Sequence, residues 1–411
     1  MRSTRPRPCP RRRGPGNRSR RAEKRGYQGC SISCPHCQEA ARFVTYRPKT
    51  VGSLLGDIGL ERAYYHCAHC HQGCFPWDQT LRLSGQRLTP AAQEVLSLAG
   101  LKESFGKVAE RSLYKQTGLR YSESTVQRTT EAAGQRLGQL LQDGAVFGSS
   151  AGWDWHRDRS GQTCGYVSVD ATGILMQGAH AAKVEGRMVY VGMVYNPQPR
   201  VVDAADLAQP CSDVRYLAGL TKLDDLGAQL RRQAAQVGLD AVEQWIALSD
   251  AGNGLENFFD VYFPRAVKIV DFRHATEHLS PLAKLLPAPA LGDDWLTTWC
   301  HRLKHEGGAV LLAELEQLDR TALDAATQAA HSDALTYFRN HVGRMNYPEY
   351  LQRGWQIGSG SVESACKNVI NQRLSMGGMR WGVAGGDALA HLRALFCSDA
   401  DQWDAFWCLP V

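Results

Sequence analysis

Gly165-Tyr-Val-Ser-Val-Asp170-Ala-Thr-Gly173 is the stretch of sequence from which the fold is best predicted. Its aromatic and β-branched residues are typical of a short buried strand, and Gly173 marks a turn after it. The strand is therefore predicted to end on Asp170. A carboxylate at the end of a central strand is held by the sheet yet reaches solvent, so it suits a hard divalent cation. Asp is also common where strands pass into turns, and this alternative stays open for a single residue.

Two later apolar stretches also stop on aspartate. Residues 245–248 form a continuous apolar run, as in a strand covered on both faces, and lead to Asp250. Residues 266–270 lead in the same way to Asp271. Three predicted strands that each end on an aspartate are less easily explained by turn chemistry alone.

A short histidine-containing segment follows the third of these strands. His274 and His278 are four residues apart and would share one face of a helix, as a metal-binding pair could, but Glu does not follow the first His as it does in the metalloprotease motif. We interpret Asp271 and His274 as supporting polar residues beside a site. The alternative is a helix cap by Asp271 with a packed His274.

Length and composition bound the class of protein. A chain of 411 residues has room for two or three domains, and it has no uninterrupted apolar run of about 18 residues that would span a membrane. The Arg-rich N-terminus lacks the apolar segment of a secretory signal, so a cytoplasmic location is expected. Thirteen scattered cysteines, an odd number, favour reduced thiols and a metal site over a disulfide framework.

The net charge of +6 is unevenly distributed. Residues 1–25 carry eleven Lys or Arg and one acid, a balance of +10, which leaves −4 for the rest of the chain. Because this arm is also rich in Pro and Gly, it is predicted to be a disordered contact for phosphates that has no sequence preference. A solvated tail without a partner, a misassigned start codon and, less readily, a transit peptide are the alternatives.

Two Cys-x-x-Cys pairs follow the arm: Cys34-Pro-His-Cys37 and Cys67-Ala-His-Cys70. Four thiolates at this spacing predict a tetrahedral zinc ion, and the residues between the pairs, 41–47 and 58–65, are predicted strands. The pattern indicates a zinc ribbon with a structural zinc, because four thiolates leave no open coordination position. A redox pair or free buried thiols are the alternatives.

From Thr89 the pattern becomes helical. Thr89-Pro90 is a helix start, and a second helix is predicted to end near Gly118. A third begins after Ser122 or Ser124 and would expose Arg128 near its start. The arrangement suits either a helix-turn-helix reader of DNA or an ordinary helical bundle, and the residues do not decide between them.

Further strands and helices are predicted between and after the three aspartates. Residues 175–177 and 188–195 are predicted to be the next strands of an antiparallel meander, and 217–237 has mixed helical character. Several helices are predicted for 281–355, with a stop at Tyr347-Pro348.

A Gly/Ser-rich loop then enters a helix that has Glu363 in its first turn, where the helix dipole favours an anion. Lys367 and Arg373 follow it and are able to meet a phosphate.

These motifs together resemble the bacterial insertion-sequence transposases of the ISKra type, relatives of the Mutator-like group that use a DDE triad. The resemblance spans about Cys34 to Trp407. It is carried by the following segments: Asp170, Ser249-Asp250-Ala-Gly, Asp271-Phe-Arg-His274-Ala-Thr-Glu-His278-Leu, Tyr347-Pro348, Gly358-Ser-Gly-Ser-Val-Glu363-Ser-Ala-Cys-Lys and Gly378-Met-Arg380-Trp381. Ala171 departs from the family, in which Asp-Gly is more usual, and the basic arm has no counterpart.

The resemblance implies an α/β (α+β) fold with a ribonuclease H-like catalytic core and a helical insertion. On this chain the catalytic triad would be Asp170, Asp250 and Glu363, with Asp271 and His274 as the supporting Asp-x-x-His signature. The implied domains are a basic disordered arm, a zinc ribbon, a helical (HTH-like) DNA-binding domain, the first part of the core, the helical insertion and the C-terminal core helices, at 1–28, 29–80, 88–143, 160–280, 281–355 and 356–411.

The implied activity is transposition of an insertion sequence, a form of DNA recombination. Two Mg²⁺ or Mn²⁺ ions about 4 Å apart, held by the triad, would activate a water for cleavage and then a DNA 3′-hydroxyl for strand transfer. Lys367, Arg373, Arg380 and Arg128 are candidate DNA contacts. The implied partners are the terminal inverted repeats, the target DNA and further copies of the chain, at the bacterial nucleoid and without a membrane.

Two other functions remain open at this stage. A zinc-ribbon and helix-turn-helix regulator would bind DNA without catalysis, and a ribonuclease H-like nuclease would cleave DNA without strand transfer.

Overall fold

The computed structural model describes residues 25–178, 185–199, 212–250, 252, 254–287, 294–358 and 360–409. The predicted basic arm therefore lies almost entirely outside the described residues. The described chain is mixed α/β with two sheets, and it divides into two compact units. Unit 1 contains 25–95 and 114–119, and unit 2 contains 96–113 and 120–409. Among the described helices, none combines the length and apolar character that crossing a bilayer requires.

Unit 1 is built on an antiparallel sheet in the order β1-β2-β3-β4. Its two long strands form a hairpin that closes through a tight turn between Ser53 and Gly56, where Gly56 has a left-handed φ of 91°. Both strands are longer than predicted, because polar residues on either side of 41–47 and 58–65 continue the pairing. The strands are β1 Ser31–Ser33, β2 Ala40–Ser53, β3 Gly56–Cys67 and β4 Gly73–Cys74.

A buried ion pair attaches a short helix, α1 (Pro76–Thr80), to this hairpin. The Arg62 guanidinium pairs with the carboxylate of Asp78, and Lys49 Nζ lies 3.3 Å from the same Oδ2 atom. The Arg62 guanidinium also lies 4.0 Å from the centre of the Phe75 ring. Removing one member of such a buried pair leaves the other charge uncompensated, so these contacts fix α1 on the sheet.

The helices that separate the two sheets in the sequence begin and end largely where the sequence predicts. Gly118, with φ 75°, ends the second helical stretch, and Ser122 rather than Ser124 is the N-cap of the third because its Oγ accepts from Thr125 N–H at 3.3 Å. A π-helical turn, Val108–Ser112, interrupts the second stretch. The helices are α2 Pro90–Lys102, α3 Phe105–Lys107, α4 Leu113–Thr117 and α5 Glu123–Gln142.

The sheet of unit 2 has the order β7-β6-β5-β8-β9. Strand β6 is antiparallel to its neighbours β5 and β7, whereas β5, β8 and β9 run parallel. Strand β7 was not predicted, and its last three residues lie in the segment 217–237 to which mixed helical character was assigned. Leu175 belongs to β5 and not to a new strand. The strands are β5 Cys164–Leu175, β6 Gly186–Pro199, β7 Ser212–Gly219, β8 Gln244–Ser249 and β9 Val267–Val270.

The prediction that β5 ends at Asp170 is wrong. The strand continues to Leu175, and Gly173 pairs with Met188 of β6. However, the parallel pairing of β5 with β8 ends at Ser168 and Leu248. Asp170 therefore lies just beyond the last residue that β8 covers, and this is the edge at which β8 and β9 also end.

Helices cover this sheet and continue beyond it. The prediction that a helix stops at Tyr347-Pro348 is wrong: a helix begins there, because proline fits the first turn of a helix. The remaining helices are α6 Leu223–Gln236, α7 Leu255–Tyr262, α8 Phe272–Glu277, α9 Ser280–Leu285, α10 Trp295–His305, α11 Gly308–Gln317, α12 Ala325–His341, α13 Tyr347–Arg353, α14 Gly360–Ala365, α15 Gln372–Leu374, α16 Val383–Cys397 and α17 Ala400–Cys408.

Two buried arginines from the C-terminal helices hold the end of α2. Arg373 Nε donates to the carbonyl of Gly100 at 2.8 Å, and Arg393 Nη1 donates to the carbonyl of Leu101 at 3.2 Å. The last carbonyls of a helix have no partner within the helix, so these guanidinium groups supply the missing donors.

Helix α5 packs closely along α16 within unit 2. The two backbones approach at Gly134, where a Cβ atom would overlap the carbonyl group of Ala388. The buried face of α5 includes Val126, Leu137 and Leu141. Gly134 is thus required by the contact and not by a turn.

We expect Gly134→Ala to lower the free energy of unfolding of unit 2 by about 1–3 kcal/mol, because the two helices must move apart. Urea denaturation followed by circular dichroism would measure the change. Gly106→Ala is the matched control, since a Cβ there meets only the end of the Glu123 side chain at ordinary contact distance. Equal stability of the two variants would contradict the close approach.

Candidate functional site

Five acidic side chains line one pocket at the edge where β8 and β9 end. Asp170, Asp250, Asp271, Glu277 and Glu363 surround a cavity of about 130 Å³ together with three further residues: Arg273, His274 and Val362. The structure thus brings together the predicted triad and both predicted supporting residues.

The strands determine the position of the three aspartates. Asp170 lies on β5 beyond the end of its pairing with β8, Asp250 directly follows β8, and Asp271 directly follows β9. Because parallel strands end at the same edge of a sheet, residues far apart in the chain become neighbours. Glu363 comes from the first turn of α14 and completes the group.

Asp170 is partly buried, as is Asp250, whereas Glu363 is exposed. The Oδ1 atom of Asp170 accepts from the N–H of Ala171 at 2.6 Å, and its Oδ2 lies 3.4 Å from Cys366 Sγ. Burial raises the pKa of Asp170, and the charges of Asp250 and Glu363 raise it further, although the two hydrogen bonds oppose this. The three carboxylates are therefore close enough to repel one another.

The other two aspartates are held by local backbone hydrogen bonds. Asp250 Oδ1 accepts from the N–H of Gly252 at 2.9 Å. Asp271 is the N-cap of α8, where its Oδ1 accepts from the N–H of His274 at 2.5 Å, and the residue is only 1% exposed. The helix-cap interpretation of Asp271 therefore holds, and the same residue also lines the pocket.

Arg273 lies at the mouth of the pocket, and the sequence analysis did not assign it a role. Its Nη1 is 3.5 Å from Glu363 Oε2, and its Nε is 3.4 Å from Glu277 Oε1. The side chain is 71% exposed, so each ion pair contributes little to stability. The sequence did contain a signal for Arg273. It lies two residues after Asp271, in the first turn of the helix that begins at the same edge of the sheet.

Helix α12 places Tyr337 beside the histidines of α8, and no sequence pattern pointed to this residue. Its ring stacks on His278 at 3.6 Å between centroids, and His278 in turn contacts the ring of His274 at 5.1 Å. Burial raises the pKa of Tyr337, with further contributions from the charges of Asp250 and Asp271. Its buried hydroxyl has no hydrogen-bond partner among the described residues.

The predicted DNA contacts differ in their exposure. Lys367, Arg380 and Arg128 are exposed, and Arg128 Nε donates to the carbonyl of Ser124. Arg373 is fully buried, and its guanidinium lies 4.9 Å from the ring centres of both Phe105 and Trp381. This burial is at odds with the predicted phosphate contact, because a backbone carbonyl and two aromatic rings already surround the charge.

The acid pocket has the donor chemistry of a site for hard cations. Carboxylate oxygens are the ligands that Mg²⁺ and Mn²⁺ prefer, and a bound cation would offset the repulsion at Asp170.

Unit 1 contains the tightest cluster of potential ligands. Within the described residues, Cys34, Cys37, Cys67 and Cys70 are the one group of three or more such side chains whose donor atoms all lie within 4.8 Å of one another. The Sγ atoms of Cys34 and Cys70 are 3.6 Å apart, and those of Cys37 and Cys67 are 3.5 Å apart. Tetrahedral zinc with bonds of about 2.3 Å needs sulfurs about 3.8 Å apart, so the cluster is compatible with a structural zinc.

The backbone favours a thiolate at one of these cysteines. The N–H of His36 donates to Cys34 Sγ at 3.5 Å, and this contact contributes most to lowering the pKa of Cys34 to about 7. A thiolate is the form that binds zinc. The buried Cys74 lies beside the cluster, but it is not one of the four ligands.

A scan of the chain against models of known protein families found no match, and a search among curated proteins found none either.

We expect Asp170→Asn to stabilise the chain at pH 7 without added Mg²⁺, by about 1 kcal/mol, because it removes a buried charge repelled by two others. Folding raises the pKa of this carboxyl group. Its contribution to stability is therefore fully present below the pKa of the unfolded chain, about 3.9, and is lost as the pH rises through the pKa of the folded chain. The gain should therefore shrink toward pH 4. Urea denaturation of zinc-loaded protein between pH 4 and 8 would measure it.

The exposed Asp404 provides the control for this comparison. Asp404→Asn should change stability by less than about 0.5 kcal/mol at every pH. If Asp170→Asn behaved in the same way, the three carboxylates would not repel one another in the folded chain.

We expect wild-type protein to contain one zinc per chain, and Cys67→Ser to contain almost none, because a hydroxyl does not replace the thiolate ligand. Elemental analysis of purified protein would measure the ratio. Cys30→Ser is the matched control, since Cys30 is exposed and outside the group of four. Full zinc occupancy in Cys67→Ser would show that the cluster does not bind the metal.

Proposed function

We propose that unit 2 is a ribonuclease H-like core and that unit 1 is a zinc ribbon. The order of the acids supports the first assignment. Asp170 is on the first strand of the mixed sheet, Asp250 follows the fourth strand, and Glu363 is on a late helix after a helical insertion. The two Cys-x-x-Cys pairs at one end of an antiparallel hairpin support the second.

We further propose that the chain is a DDE transposase that binds transposon ends and catalyses metal-dependent DNA cleavage and strand transfer. The observation that carries this proposal is the meeting of Asp170, Asp250 and Glu363 in one pocket. These residues are 80 and 113 positions apart in the chain, so a local turn or a helix cap does not account for all three together. The resemblance to ISKra-type transposases assigns the same three residues.

In this proposal Asp170, Asp250 and Glu363 would hold two Mg²⁺ or Mn²⁺ ions through their carboxylate oxygens. When bound, the ions activate the attacking hydroxyl group and stabilise the leaving oxygen in an in-line displacement at phosphorus.

The protein groups around the pocket have separate tasks. Asp271 holds the first turn of α8, and thereby fixes the backbone from which Arg273 and His274 extend. Arg273, which contacts Glu363 at the mouth, is positioned to meet a phosphate of the incoming DNA. Tyr337 of α12 stacks on His278 and thereby packs against the end of α8.

The proposed partners follow from this chemistry. The substrates are the terminal inverted repeats of the element and the target DNA, at the bacterial nucleoid. The exposed Lys367 and Arg380 are proposed contacts for DNA phosphates. Because two transposon ends must be brought together, the active form is proposed to be a homo-oligomer.

Two other functions share parts of this structure. A ribonuclease H-like nuclease would use the same acid pocket and would yield cleaved DNA without joined products. A zinc-ribbon and helix-turn-helix regulator would bind the flanking DNA and show no Mg²⁺-dependent cleavage. The products of one assay therefore separate the three functions.

We expect wild-type protein and Mg²⁺ to cleave labelled duplexes made from the DNA that flanks the gene and to join them to a target plasmid. Asp250→Ala should lower the rate of both steps by at least about 10²-fold, because a ligand for the metal ions is lost. Gel analysis of cleaved and joined products would measure the rates. Asp260→Ala is the control, since this acid is exposed on α7 and pairs with Lys268.

A further inference from the structure

Cys366 is buried directly beneath the acid pocket. It follows the last residue of α14 and begins a π-helical turn, Cys366–Asn371, three residues after Glu363. Single π-helical turns often occur at functional sites, because the extra residue redirects the side chains that follow it. Here the turn directs Sγ of Cys366 to within 3.4 Å of Asp170 Oδ2.

The chemistry of the thiol makes it the donor in this contact. A thiol is a weak donor, and an ionised carboxylate is a strong acceptor. The S–H group therefore donates to Oδ2, and the N–H of Ala171 donates to Oδ1 of the same carboxylate.

We propose that Cys366 is a positioning residue that orients Asp170 for binding metal ions. This inference rests on the proposed function, because it assigns to Asp170 a metal-binding role. With one donor on each oxygen, the orientation of the carboxylate is restricted, and Asp170 also lines the pocket. The thiol is not itself a ligand in this proposal, because Mg²⁺ and Mn²⁺ prefer oxygen.

The same contact stabilises the ionised carboxylate of Asp170. The S–H group of Cys366 donates to Oδ2, and the N–H of Ala171 donates to Oδ1. Removing a group that hydrogen-bonds to a metal ligand commonly lowers metal affinity by about 10–100-fold. Since a thiol is a weak donor, we expect a loss of about tenfold, at the low end of that range.

Mn²⁺ binding to the full-length, zinc-loaded protein would test the proposal. The electron paramagnetic resonance signal of free Mn²⁺ gives the dissociation constant without any measurement of activity. Cys366→Ala should weaken binding about tenfold, whereas Cys366→Ser, which keeps a donor, should restore most of the affinity. Cys164→Ala is the matched control, because Cys164 is a buried thiol at the start of the same strand as Asp170 and bonds to the carbonyl of Gln162.

The outcomes separate this inference from the proposed function. Mn²⁺ binding that is lost in Asp170→Asn but unchanged in Cys366→Ala would overturn the role of Cys366 and leave the metal site intact. Mn²⁺ binding that is unchanged in Asp170→Asn would overturn both. A purely packing role would lower the melting temperature of Cys366→Ala without changing its affinity. If Cys366→Ala does not fold, Cys366→Val, which fills the space without a donor, is compared with Cys366→Ser in its place.

Discussion

The parallel pairing of β5 with β8, and of β8 with β9, is the constraint on which the acid pocket depends. Hydrogen bonds between these strands fix their register, and the register fixes where each strand leaves the sheet. Asp170, Asp250 and Asp271 all lie at that edge as a result. A shift of one residue in β5 would turn Asp170 to the opposite face of the sheet, because side chains alternate along a strand. The positions of the acids are therefore set by the backbone and not by attraction between them.

Gathering these carboxylates has an electrostatic cost, and the surrounding residues limit it in different ways. The N–H groups of Ala171 and Gly252 bond to individual oxygens, the first turn of α8 binds Asp271, and the exposed Arg273 approaches Glu363. Despite these contacts, burial and the charges of Asp250 and Glu363 keep the pKa of Asp170 above its ordinary value.

The sequence predicted the parts of the structure in which a residue type has few possible roles, such as a pair of cysteines or an aspartate at the end of a buried strand. The Cys-x-x-Cys pairs predicted the sulfur cluster, and apolar runs that end in aspartate predicted residues that the sheet brings together. It was less informative where tertiary contacts decide. The pattern did not reveal β7, whose inclusion depends on pairing with β6, or the continuation of β5 past Asp170. The burial of Arg373 and the approach of Tyr337 and Cys366 to the acids depend on how separate helices pack, and no local pattern encodes such distances.

The arginines that hold the end of α2 have a consequence for biosynthesis. Arg373 and Arg393 lie 273 and 292 residues after the carbonyls to which they donate. The hairpin of unit 1 pairs residues that are close in sequence, so it is able to form early on the ribosome. Unit 2 in contrast needs nearly the whole polypeptide before α2 is anchored and Glu363 reaches the three aspartates. An unfinished translation product would thus contain the cysteine cluster but no assembled acid pocket, so the proposed metal-dependent chemistry would have to await the C-terminal helices.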